Sequence, residues 1–69
     1  MLIKAFKREN LLAFEKSQTS LKVLAFLRTQ LQNVDVIEQE SYYIVCGSPA
    51  QLFHFLCDMA EQFGVELIA

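Results

Sequence analysis

Glycine and proline are scarce in this chain, two and one in 69 residues, while more than half of the residues are hydrophobic. That balance excludes a disordered or low-complexity segment and points to a single packed domain. Long apolar runs are also missing. The longest uninterrupted stretches are five residues, as in Tyr42–Cys46, against the ~20 that a membrane-spanning helix needs. The opening MLIKAFKRENLL carries Lys4, Lys7, Arg8 and Glu9 where a secretory signal would have an apolar stretch, so the expected location is cytoplasmic. The two cysteines are then expected to be reduced.

Basic residues are absent from position 29 onward. Lys4, Lys7, Arg8, Lys16, Lys22 and Arg28 all fall before it, whereas Asp35, Glu38, Glu40, Asp58, Glu61 and Glu66 fall after it. Segregation of this kind suggests charge complementarity within the domain, between copies or with a partner. Because the chain is so short, it buries only about 60% of its unfolded surface. Its core must therefore be dense, and six Phe and two Tyr supply the bulk.

Catalytic and metal-binding signatures are equally sparse. No phosphate-cradling loop, metalloprotease helix or paired-carboxylate constellation is present. Cys46 precedes Gly47 and Ser48, where a helix start can activate a thiolate. The only histidine, His54, is expected about two helical turns further on and on the solvent side, out of reach as a base. His54 and Cys57 stand three apart on one helix, but a structural zinc site needs four ligands. No catalytic residue, cofactor or metal is expected.

What the sequence does contain is a concealed repeat. A shift of 31 residues lays residues 11–38 on residues 42–69 without a gap, with identities only at Ser17/Ser48, Leu21/Leu52, Val34/Val65 and Ile37/Ile68. The residue types agree more broadly: an apolar run, a serine, a helical pattern, then Asn33 or Gly64 before a second apolar run. Serine suits a helix N-cap, and Asn or Gly suits a left-handed residue at a helix end. Ser48-Pro49 with Gln51 is a capping box with proline at the first helical position, which starts the second helix at residue 49. Leu52, Phe55, Leu56, Met59 and Phe63 form its apolar stripe, widened by Phe53 and Cys57. In the first helix Val23, Leu24, Leu27 and Leu31 form the stripe, and Phe26 falls outside it.

Two βαβ halves joined at Gln39-Glu40-Ser41 give the order βαββαβ. The expected fold is α+β, a ferredoxin-like two-layer sandwich of two helices on one face of a four-stranded antiparallel sheet. Residues 1–10 form an N-terminal strand or arm, either at a sheet edge, continuous with the first strand, or folded over the open face. Residues 11–69 form the domain.

The strands are apolar on both sides. Leu12 and Phe14 oppose Leu11 and Ala13; Tyr43 and Val45 oppose Tyr42, Ile44 and Cys46. A sheet face left open with such residues marks an interaction site. The expected function is a small non-enzymatic protein-interaction or regulatory module, adaptor-like, that forms a homodimer or docks a larger protein. It would use the apolar open sheet face and a helix flank, with Leu11, Ala13, Phe26, Tyr42, Ile44 and Phe53 as the expected contacts. The alternative is a module for single-stranded nucleic acid that uses the basic N-terminal half. Tyr42 and Tyr43 point to opposite faces, however, and the acidic second half repels phosphate.

Overall fold

A computed structural model describes residues 2–68. Its elements are β1 (Ile3–Arg8), β2 (Leu11–Glu15), α1 (Gln18–Gln30), β3 (Asp35–Glu38), β4 (Tyr42–Cys46), α2 (Pro49–Phe63) and β5 (Val65–Leu67). The strands form one mixed sheet in the order β3-β4-β2-β1-β5. Neighbouring pairs are antiparallel except β1 with β5, which run parallel. The architecture is thus α+β, with two helices packed on one side of a five-stranded sheet.

The four-stranded antiparallel order is corrected by β1. In a ferredoxin-like sheet the first and last strands of the βαββαβ unit are neighbours, here β2 and β5. β1 stands between them and pairs with both. It is neither an edge strand nor an extension of β2, and it does not fold over the open face. The physical reason is a tight reversal at Glu9-Asn10, which pairs Arg8 with Leu11 and lays β1 back along β2. The Asn10 carbonyl accepts the Gly47 N–H at 3.3 Å, tying that turn to the start of the second crossover.

Both helices begin where the serines predict. Ser17 and Ser20 cap α1 reciprocally: the Ser20 N–H donates to Ser17 Oγ (3.1 Å), and the Ser17 N–H donates to Ser20 Oγ (2.7 Å). Ser20 is fully buried, and its hydroxyl donates to the Ser17 carbonyl, so its polar atoms are satisfied. Ser48 caps α2 by accepting the Gln51 N–H, with Pro49 as the first helical residue.

The helix ends differ from each other. Gly64 closes α2 at φ +79°, a backbone conformation that only glycine adopts readily. α1 ends instead on Leu31 in extended conformation, and no residue other than glycine among those described has a positive φ. The expected left-handed role of Asn33 is therefore not realised, because the Leu31 N–H already closes the helix on the Leu27 carbonyl at 2.8 Å.

Alternation within the strands builds the core. Ile3, Ala5, Leu12, Phe14 and Val45 point toward the helices and meet Val23 and Leu27 of α1 and Leu52, Phe55, Leu56 and Met59 of α2 in one cluster. Val34 packs beside it, and its Cγ1 would lie 2.8 Å from a Cβ at Gly47. That close approach explains the glycine at the bend after β4.

Candidate interaction surface

Strand register fixes what the other sheet face presents. Reading outward-pointing residues across the strands, Ile37 pairs with Ile44, Ile44 with Ala13 and Ala13 with Phe6. The Ile68 N–H donates to the Ala5 carbonyl at 2.8 Å, which continues the β1–β5 ladder and brings Ile68 level with Phe6. One apolar row therefore crosses β3, β4, β2 and β1 and continues to Ile68, just past the end of β5. Ala13 at its centre is only 2% exposed, whereas Ile37 at one end is 45% exposed. Both helices pack on the opposite face, and no helix covers this row among the described residues.

Polar rows flank it on either side. Toward the β1–β2 turn lie Asp35, Cys46, Leu11 and Arg8 in sheet order. Toward the other end lie Tyr42, Glu15, Lys4 and Glu66, with Glu15 opposite Tyr42 and Lys4 opposite Glu66. The Arg8 guanidinium lies over the Phe6 ring, 5.0 Å from its centroid, and so stays on this face.

Of the six expected contact residues, four share the open face: Leu11, Ala13, Tyr42 and Ile44. Phe26 and Phe53 do not join them. Phe26 sits between the helices, its ring 5.7 Å from Phe55 and 6.0 Å from Phe63, as a partly buried satellite of the core. Its spacing of three from Val23 and one from Leu27 is the helical signal for that position. Phe53 is exposed on α2, in the layer on the other side of the sheet. Cys57 is exposed as well, not half-buried as the widened stripe suggests. Phe6 and Ile37 are not among the expected contacts, nor is Ile68, which alternation in the last strand sets opposite Val65 and Leu67; alternation in β1 and β3 places the first two on the face once the register is known.

The basic residues of the first half do not form one surface. Lys4 and Arg8 point to the open face. Lys16 points to the helix side, where it pairs with Glu38 at 2.7 Å and lies 5.1 Å from the centre of the Tyr43 ring. Lys22 and Arg28 are exposed on α1. Lys16 with Glu38 is one place where the two oppositely charged halves meet.

Cys46 ends β4, as its position before Gly47 predicts, and His54 is exposed on α2 with its ring beside Phe53. Among the described residues no group of three His, Cys, Asp or Glu side chains is placed to hold a metal ion. A shallow hollow of about 270 Å³ opens between Leu2, Ile3, Glu15, Ser17, Gln18 and Thr19. Among the described residues, Glu15 is the charged group that lines it. No helix among the described residues is long and apolar enough to cross a membrane. Comparison with protein-family models, curated proteins and solved structures finds no match for this chain.

Proposed function

We infer that the chain is a small protein-association module, regulatory or adaptor-like in character, whose working surface is the open sheet face. The observation that carries this reading is the continuous row Ile37, Ile44, Ala13, Phe6 and Ile68. An antiparallel sheet with one solvated face normally alternates apolar-in and polar-out. Here the outward side of the middle row is apolar on β3, β4, β2 and β1 and on to Ile68, a pattern that proteins retain where another surface covers it. A nucleic-acid surface needs a positive field. This face carries Lys4 and Arg8 against Glu15, Asp35 and Glu66, which favours a protein.

The test compares the two sides of the molecule. Ile37→Lys and Ile44→Lys are expected to abolish association measured by sedimentation, while Phe53→Lys on α2 leaves it intact. Phe26→Ala lowers thermal stability through the core and leaves association unchanged. Loss of association with Phe53→Lys and none with Ile37→Lys would overturn the reading.

A further inference from the structure

We propose that the open face packs on the same face of a second copy, with the two-fold axis parallel to the strands and passing between β2 and β4. This rests on the reading of that face as an association surface and names its occupant. A two-fold contact is isologous, so the surface must be complementary to itself. The flanking charges meet that demand in one orientation.

Across the strands β3, β4, β2 and β1, the row near the turn reads Asp35, Cys46, Leu11, Arg8, with an acid at one end and a base at the other. An axis along the strands between β4 and β2 turns this row end for end. Asp35 of each copy then faces Arg8 of the other. In the middle row Ile37 faces Phe6 and Ile44 faces Ala13, apolar on apolar. In the third row Glu15 faces the hydroxyl-bearing Tyr42.

Two other placements are worse. An axis across the strands sets Arg8 of each copy on Lys4 of the other, and juxtaposed like charges suppress association. An axis moved onto β2 sets Glu15 on Glu15 and leaves Arg8 facing Cys46. The geometry tolerates sheet twist. With strands about 4.8 Å apart, β3 and β1 lie roughly 7 Å from the chosen axis, and an aligned crossing of about 30° displaces facing residues by about 4 Å, within the reach of an arginine.

About the chosen axis β3, β4, β2 and β1 face their counterparts, and β5 lies outside the overlap. The molecule measures 28 × 26 × 25 Å along its principal axes. Four-fifths of a face of that size offers on the order of 600 Å², at the low end of the range per partner for a specific interface.

The experiment is analytical ultracentrifugation of the full chain with Arg8→Asp, Asp35→Arg and their equimolar mixture, circular dichroism confirming the fold of each. The wild type is expected to form dimers at micromolar concentration. Each variant alone places like charges opposite one another and associates about tenfold more weakly or worse. In the mixture every facing pair is again opposite in sign, so a heterodimer forms with near wild-type affinity. A wild type that stays monomeric at millimolar concentration overturns the proposal, as does an Arg8-dependent complex with a single-stranded oligonucleotide. If Ile37→Lys breaks the dimer but the mixture fails to restore it, the self-complementary orientation falls while the association face stands.

Discussion

The two strand-helix-strand halves, residues 11–38 and 42–67, share one pattern but not one environment. Their central strands pair so that Ala13 faces Ile44, two residues that the 31-residue shift also superposes, which places a pseudo-two-fold axis through the middle of the open face. Ser17 and Ser48 both cap helices. Val34 and Val65 both pack against the core. Leu21 and Leu52, another identical pair, part company: Leu21 is 60% exposed and Leu52 is fully buried.

The difference traces to β1. α1 carries the chain from β2 past β4 to β3, whereas α2 must carry it from β4 across β2 and β1 to β5. The second helix is longer, lies on the central strand β2 and buries Leu52, Phe55, Leu56 and Met59. The first buries only Ser20, Val23 and Leu27. A single inserted strand thus turns two similar halves into a central one and a peripheral one. The repeat is one of residue pattern; burial follows position in the sheet.

Removing residues 1–10 is the strongest way to break that comparison. A ferredoxin-like unit complete in residues 11–69 would survive it, with β5 moving in to pair with β2. The structure predicts that it does not fold, because β1 holds ladders on both sides and supplies the core residues Ile3 and Ala5. Loss of circular-dichroism signal and of dispersed amide resonances is the expected result.

Core truncations sharpen the contrast at the next level. Phe55→Ala in α2 is expected to cost about 3–5 kcal/mol and Leu27→Ala in α1 about 2–3, near the low end of the range for such changes. Urea denaturation measures both. A larger loss at Leu27 would mean that the first half, not the second, anchors the core.

The helix ends give the smallest effects. Gly64→Ala forces a side chain into positive φ and brings its Cβ to 2.9 Å from Leu2 Cδ2, so it is expected to destabilise by about 1 kcal/mol or more. Asn33→Ala, at the equivalent place after α1, is expected to change stability by less than about 0.5 kcal/mol, as for an ordinary surface site. Thermal melts of the pair would separate them.

Much of this was legible in the residues. Serine caps, Pro49 and the spacing of apolar residues locate both helices, and alternation in β2 and β4 sorts Leu11, Ala13, Tyr42 and Ile44 onto one face, because these signals are local. Where β1 pairs is not local. LIKAFK has strand character, but only the two-residue reversal at Glu9-Asn10 and the match with β5 place it inside the sheet, and Asn10 between two apolar strands is the one hint of that reversal. Phe26 was hidden for a different reason. A stripe drawn through Leu24 and Leu31 leaves it outside, whereas one drawn through Val23 and Leu27 includes it, and the choice depends on where α2 lies.

The association surface is tested most sharply by solvent accessibility of side-chain resonances in NMR, using a soluble paramagnetic probe on concentrated and on diluted protein. If the open sheet face is the association surface, Phe6, Ile37 and Ile44 are shielded at high concentration and become accessible on dilution, while Leu21 and Phe53 on the helices stay accessible throughout. Shielding of Leu21 and Phe53 instead, or an open face equally accessible at both concentrations, would contradict it.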